Sequence, residues 1–540
     1  MKKYIRHKTL ILFGIVLIAA FFRLFSLSTN PPSLTWDEVS WGYNAYSLGI
    51  DGRDEFGKFL PITYLESFGD FKPPLYAYLD ILPVKILGMS ELAVRLPSAF
   101  AGILTVALTY LLVVQIFGRE KEKEAFVAAF IVAISPWHIM LSRAAFEANV
   151  STALIVLGLY LFLKSKNDKI ILLPFSVVSF VASLYTFNSA RVIVPIIVIV
   201  LAIVFYRFLL KNLVIACVSA LLGFLLFLPL FIFLQSPQAK LRFDEVNIFS
   251  DINVINRTNQ EIANDDNSAF SKVIHNRRFA YGVEYLGHYF DNLTPKFLFF
   301  SGDGNPKFSI QDVGQVYLWE APFLLLGVLL LFRQRRKYWW IVPFMIVVAI
   351  VPAGFARETP HALRTESVVP FLQIVTAIGV CAFIDWFRGK IQIFSKVCLT
   401  LVIFISLMYF AHNLFFHYPK EYSGEWQYGY KESLEYVKGQ QNNYQKVYIT
   451  EALGRPYVYA LFYLKYSPQK FRQEANIYRE ALGFVHVRSF SNIYFEEEIE
   501  KVNTQNSLYL AQPDSVPVSG KILKEFKLLN GKTILVAYSL

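Results

Sequence analysis

The chain has 540 residues, of which 55% are hydrophobic, 16% aromatic and only 17% charged, with a formal net charge of +11. That composition excludes an ordinary soluble protein of this length and points to a multi-spanning membrane protein. The three cysteines, Cys217, Cys381 and Cys398, all lie in apolar runs and make neither a disulfide framework nor a zinc motif.

A membrane span requires roughly 20 apolar residues. The sequence predicts about eleven, at roughly 8–27, 92–117, 125–141, 147–163, 169–186, 190–209, 212–234, 314–332, 338–354, 365–387 and 397–416. Lys2, Lys3, Arg6 and Lys8 precede the first, which lacks a small-residue cleavage site and reads as an uncleaved anchor. With the N-terminus in the cytoplasm, the N-terminal segment and the alternate connections 119–124, 164–169, 207–211, 333–337 and 388–396 hold nineteen Lys and Arg. The short external turns hold four: Arg143, Arg191, Arg357 and Arg364. The positive charge is therefore a topology signal and not a nucleic-acid surface. The expected location is the plasma membrane, multi-pass, with the C-terminal part outside.

Three segments on the external side are long. Residues 28–91 carry adjacent carboxylates, Asp37 and Glu38, after Trp36. Residues 75–90 within that segment are apolar but short and interrupted by Pro83, Lys85 and Gly88, so they read as an interfacial helix. Residues 235–313 are polar and end in a turn-rich run, Ser301-Gly302-Asp303-Gly304-Asn305-Pro306. In residues 417–540 the composition becomes that of a soluble domain. There 446–450, 507–511 and 533–538 read as strands and 456–466 as an aromatic-rich helix. The expected fold is mostly α, a polytopic domain over 1–416 followed by a small extracytoplasmic α/β domain over 417–540. No Walker or dinucleotide glycine motif occurs.

Ionisable residues at the edge of apolar spans are costly without a partner or a role. Asp37 and Glu38 fit the acidic first turn of a helix, and also a base beside a supporting carboxylate. Gly69-Asp70-Phe71-Lys72-Pro73-Pro74-Leu75 holds a lysine before two prolines. Arg95 opens the second span, where a snorkelling arginine is the plain alternative. Arg143 and Glu147 are four residues apart, so a continuous helix would set them on one face as an ion pair. Arg357, His361 and Arg364 surround the tenth span's start. External carboxylates with several cations near the headgroups suit a lipid-linked phosphate: cations neutralise the phosphate and a carboxylate takes a proton from an attacking hydroxyl.

Asp37-Glu38 after the first span, Lys72-Pro73-Pro74-Leu75, Arg95-Leu96-Pro97-Ser98 and Ser142-Arg143 with Glu147 together resemble the GT-C membrane glycosyltransferases. Within these the chain is similar to the branch of protein O-mannosyltransferases, the aminoarabinose transferase acting on lipid A and the RgtA/B/C/D-like enzymes. The resemblance covers roughly residues 8–416. It implies inverting transfer of a sugar from a polyprenyl-phosphate donor to a protein, lipid or envelope-glycan acceptor at the outer face of the bilayer. By that resemblance Asp37 is the general base, Glu38 supports it and Lys72 faces the carrier phosphate. Arg143 and Glu147 correspond to polar cavity residues, and His361 and Arg364 to a basic phosphate contact in a late external turn. The family is usually metal-independent, so no cofactor is expected, although related oligosaccharide-transferring enzymes hold a divalent ion with acidic residues.

Two other classes compete. A transporter or flippase of a lipid-linked glycan predicts charged or broken helices near the midplane and inverted repeats. An assembly protein that binds a partner through its C-terminal domain predicts no reactive constellation. The clustering of ionisable residues on one side of the spans favours the enzyme.

Overall fold

The computed structural model describes residues 2–240, 247–480 and 485–540, with side chains from residue 8 onward. The first helices are α1 (Lys2–Leu24), α2 (Trp36–Asp51), α3 (Leu75–Leu87), α4 (Glu91–Phe117), α5 (Glu122–Ile134), α6 (Pro136–Arg143) and α7 (Glu147–Asn167). The chain divides into two compact units. One comprises Met1–Arg23, Ala101–Ser142 and Glu147–Phe410; the other comprises Leu24–Phe100, Arg143–Phe146 and Ala411–Leu540.

The first unit is helical. Among the described residues, five helices are long and apolar enough to cross a membrane: Glu91–Phe117, Glu147–Asn167, Leu213–Leu234, Glu366–Trp386 and Gly389–Glu421. Arg119–Ile134 and Pro136–Arg143 make a sixth if counted together, bent by 53° at their junction. Eleven spans were expected, and several of those windows form shorter helices. Pro174 starts a helix afresh, so 169–186 splits into the turn Ile170–Leu172 and the helix Leu173–Leu184. The windows at 190–209 and 338–354 contain helices of 15 and 14 residues, Ala190–Val204 and Ile341–Gly354. Side chains of α1, α4 and α5 form one core patch: Ile15, Ala19, Val106, Ala129, Val132 and Ala133. The helices Glu320–Gln334 and Val369–Trp386 meet through glycines. A Cβ on Gly327 would lie 2.0 Å from the Val375 carbonyl oxygen, and one on Gly379 would lie 2.0 Å from that of Phe323. Small residues allow this approach, as in membrane helix pairs generally.

The second unit is mixed. The hairpin of β1 (Leu65–Ser67) and β2 (Asp70–Lys72) is antiparallel, with Leu65 opposite Lys72. Its turn residues Phe68 and Gly69 both have positive φ, 42° and 82°, the combination a two-residue primed turn requires. The C-terminal part forms a seven-stranded sheet from β3 (Lys446–Thr450), β4 (Asn476–Arg479), β5 (Val485–Phe490), β6 (Ile493–Glu496), β7 (Ser507–Ala511), β8 (Lys521–Lys527) and β9 (Thr533–Ser539). The order is β4-β5-β6-β3-β7-β9-β8, with β3 parallel to both neighbours and the outer pairs antiparallel. The predicted strands at 446–450, 507–511 and 533–538 and the predicted helix at 456–466, here Pro456–Tyr463, are all present. That helix packs on α2 at Gly42, where a Cβ would lie 2.5 Å from the Phe462 ring and 2.6 Å from Val94. Residues 75–90 form α3, with Pro83 accommodated inside it.

Candidate active site

The turn that follows α1 has few regular backbone hydrogen bonds, and its buried carbonyls need donors. Two arginines supply them. Arg95, on α4, gives Nη1 to the carbonyls of Leu27 (3.1 Å) and Pro31 (2.8 Å) and Nη2 to that of Ser33. Arg143, the last residue of α6, gives Nη2 to the carbonyls of Phe25 (2.9 Å), Asn30 (2.7 Å) and Ser26 (3.4 Å). Both arginines are fully buried. The snorkelling alternative for Arg95 is thereby excluded.

This turn delivers the chain to Thr35, the N-cap of α2. The Thr35 hydroxyl accepts from the Glu38 backbone N–H, and Glu38 Oε2 accepts from the Thr35 N–H at 2.9 Å, a complete capping box. Glu38 Oε1 accepts from Arg95 Nε at 2.9 Å and from the Ala145 N–H at 3.0 Å. Its carboxylate is thus engaged on both oxygens and buried.

Asp37 is the next residue back on the same turn, and its environment is different. Its side chain is 47% exposed and forms an ion pair with Lys72 Nζ. Lys72 is only 6% exposed; its ammonium also lies 4.2 Å from the centre of the Phe68 ring and 5.0 Å from that of Trp41. The two residues, 35 apart in sequence, meet because the tight hairpin returns β2 to the start of α2. An accessible carboxylate thus sits beside an ammonium that is held in place by aromatic faces.

The surroundings hold residues that the sequence did not single out. Glu55 is fully buried, accepting from Tyr457 Oη (3.1 Å) and Asn44 Nδ2 (3.2 Å), and burial pushes its carboxyl up to about 8. Tyr457 Oη also accepts from the Phe68 N–H at 2.8 Å. Asp80, on α3, is buried, and its carboxyl is held well above the usual carboxylate range, first by burial and then by Glu38. Arg455 sits with its guanidinium 5.3 Å from the Phe68 ring, on a backbone with φ 49°. Nothing in local pattern distinguishes these residues; Arg455 had one signal, its place after Gly454 and before Pro456 at a helix start.

Asp37, Glu38, Lys72 and Arg143 therefore belong to one unit, while Glu147, His361 and Arg364 belong to the other. Arg143 and Glu147 do not share a helix: α6 ends at Arg143, α7 begins at Glu147, and the Phe146 N–H turns back to the Ala144 carbonyl at 2.8 Å. The expected shared helical face is interrupted because three residues are spent on the turn. His361 stacks near Phe308, its backbone N–H bonded to Asn292 Oδ1 at 2.9 Å. Burial, and then Arg364, hold its imidazole well below the ordinary histidine range, so it is neutral at physiological pH. Ala362, next to it, gives its N–H to Asp303 Oδ2 at 2.7 Å and accepts from Trp137 Nε1 at 3.1 Å. Burial raises the Asp303 carboxyl to about 6. Among the described residues, no group of three or more His, Cys, Asp or Glu side chains is arranged to hold a metal ion.

Comparison with solved structures identifies the fold. ArnT from Cupriavidus metallidurans bound to undecaprenyl phosphate superposes with a TM-score of 0.53 at 11% identity, over 98% of this chain and 97% of that one. The apo form of the same protein gives 0.52 at 12% identity with the same coverage. The oligosaccharyltransferase AglB from Archaeoglobus fulgidus, in complex with an inhibitory peptide and a dolichol-phosphate, gives 0.51 at 14% identity, over 86% of this chain and 64% of that one. The fold is thus that of ArnT and AglB, and the chain is a multi-pass membrane protein.

Residues 71–233 match the family described as dolichyl-phosphate-mannose-protein mannosyltransferase. An uncharacterized protein from Aquifex aeolicus is 32% identical over 129 residues, which is 22% of this chain and about a quarter (26%) of that relative's length.

Proposed function

We propose that the protein transfers a sugar from a polyprenyl-phosphate-linked donor to an acceptor at the outer face of the membrane, with inversion at the anomeric carbon. The observation that carries this reading is the asymmetry of the acidic pair: Glu38 is buried against Arg95, whereas Asp37 is half-exposed and pairs with Lys72. The family match and the likeness to the ArnT fold support it.

In this mechanism the donor phosphate takes over Lys72 and releases Asp37 from its ion pair. The acceptor hydroxyl attacks the anomeric carbon as Asp37 removes its proton. The bond from that carbon to the phosphate oxygen breaks, its electron pair stays on the phosphate, and Lys72 balances the new charge. Glu38 acts as a positioning residue that fixes the first turn of α2. Arg143, Glu147, His361 and Arg364 belong to the reading as substrate-binding residues. His361 would serve there as a neutral hydrogen-bonding group.

The reading includes the eleven-span topology, with the N-terminus in the cytoplasm and residues 28–91, 235–313 and 417–540 outside. It takes 1–416 as the catalytic membrane domain and 417–540 as an extracytoplasmic domain.

The test is release of polyprenyl phosphate from a polyprenyl-phosphate sugar by purified protein, with an extract of envelope acceptors, for the wild type and Asp37→Asn. Wild-type release that falls roughly 10²–10⁴-fold in Asp37→Asn is the expected result. Equal release by both proteins overturns the assignment of the base. No release from any polyprenyl-phosphate sugar by the wild type overturns the activity.

A further inference from the structure

The polar composition of residues 235–313 suggests a segment wholly in water. The helix Arg277–Asp291 departs from that expectation. Phe279, Val283, Leu286 and Phe290 are spaced by four, three and four residues, and so fall in one narrow stripe of the helix. Their exposures are 62%, 52%, 52% and 58%. The opposite side is attached to the apolar helix Ile341–Gly354. Tyr285 Oη donates to the Val351 carbonyl (3.4 Å) and Tyr289 Oη to that of Val347 (2.9 Å). His288 Nδ1 lies 2.7 Å from the Ala356 carbonyl oxygen. Tyr285 and Tyr289 are one turn apart, and so are Val351 and Val347 in the reverse order. The two helices therefore run antiparallel, side by side.

This pairing gives a depth. Val347 lies seven residues before Gly354, the end of its helix, which is about 10 Å at 1.5 Å per residue. Val347 is itself 55% exposed, on a short apolar helix of 14 residues. The stripe thus continues an apolar surface that is already exposed. Both tyrosine hydroxyls end on helix carbonyls, as hydroxyls must where no water is available. Arg277 and Arg278 at the helix start and Lys272 just before it are exposed, and Glu284 pairs with Arg257 away from the stripe. Cations at one end with an apolar stripe below them fit anionic headgroups above acyl chains.

We infer that Arg277–Asp291 is a lipid-immersed helix, lying against the upper half of Ile341–Gly354 with Phe279, Val283, Leu286 and Phe290 in the acyl region of the outer leaflet. The inference uses the proposed orientation only to name the leaflet as outer. The labelling of Gln260→Cys and Arg335→Cys described below tests that orientation separately.

The experiment attaches a nitroxide to single cysteines in the otherwise cysteine-free full chain, reconstituted in liposomes containing phosphatidylglycerol. Collision rates are measured with oxygen, which concentrates in acyl chains, and with a water-soluble nickel chelate. Val283→Cys and Phe290→Cys are expected to have an oxygen-to-nickel collision ratio about 10-fold or more above that of Asn264→Cys, at the end of the helix Ile252–Asn264. Should Phe290→Cys fail to accumulate, Leu286→Cys reads the same stripe. High nickel collision at 283 and 290 overturns the inference in favour of an aqueous surface. Low collision with both reagents overturns it in favour of a face covered by protein, either a second copy or another partner.

Discussion

Nε of Arg95 lies 2.9 Å from Oε1 of Glu38, and the two side chains are 0% and 1% exposed. One residue away, Asp37 is 47% exposed. Adjacent carboxylates on one helical turn thus have different exposure and different partners. Removing one member of a buried ion pair leaves an uncompensated charge and costs about 3–5 kcal/mol. Asp37 is half in water, which screens its pair with the nearly buried Lys72 and makes its loss cost less. Glu38→Ala and Arg95→Ala are therefore expected to lower the unfolding temperature markedly in a fixed detergent, and Asp37→Asn to lower it distinctly less. Equal losses for Glu38→Ala and Asp37→Asn would remove the distinction.

Glu55 gives a prediction in pH. Its folded-state value of about 8 lies above the ordinary 4.5, with burial as the main cause. Between those values the folded protein holds a proton that the unfolded chain has released, so stability falls as pH rises. The proton-linked contribution is fully present below about 4.5 and is lost as pH passes through about 8. Glu55→Gln has no such proton to lose. Unfolding temperatures of the wild type relative to Glu55→Gln should decline from about pH 5 to about pH 9. Parallel curves for the two proteins would show that Glu55 is not protonated in the folded state.

How much of this was legible in the sequence depended on the range of the cause. The strands at 446–450, 507–511 and 533–538 are buried runs of apolar and aromatic residues, and they were read correctly. β4 and β8, largely exposed and on the sheet edges, carry charge and little alternation, and they were not. Asp37 and Lys72 were singled out from residue types as a base and a phosphate contact, but their ion pair was not expected, because it depends on a two-residue turn at Phe68 and Gly69. Arg95 was correctly flagged as costly in its position; its partner Glu38 came from 57 residues away, beyond any local pattern. The continuous helix expected through Arg143 and Glu147 is absent because spacing alone does not reveal a turn at 144–146. Glu55 and Asp80 were passed over because burial, which makes them unusual, is a property of the whole fold.

The proposed orientation rests on the positive-inside rule, with the excess of Lys and Arg expected in alternate cytoplasmic connections. In intact cells or right-side-out vesicles, Gln260→Cys is expected to react with a membrane-impermeant maleimide and Arg335→Cys to react only after permeabilisation. The reverse pattern would invert the topology and move Asp37 to the cytoplasmic side, where a polyprenyl-linked donor would not be required.

The ion pair between Asp37 and Lys72 makes the last prediction, because each residue competes with the substrate for the other. In the resting protein the Lys72 ammonium is held by Asp37 and the aromatic faces of Phe68 and Trp41. A donor phosphate must displace the carboxylate to reach it. Lys72→Ala removes a charge-assisted contact worth roughly 1.5–3 kcal/mol, so carrier-phosphate affinity should fall about 10-fold or more. Asp37→Asn removes the competitor but leaves the ammonium, so the same affinity should stay level or rise while transfer falls roughly 10²–10⁴-fold. The two variants are thus expected to separate binding from chemistry in opposite directions, measured by titration with undecaprenyl phosphate and by turnover. A fall in carrier affinity in Asp37→Asn as large as that in Lys72→Ala would mean that Asp37 positions the lysine for binding, and that the proton goes to another group.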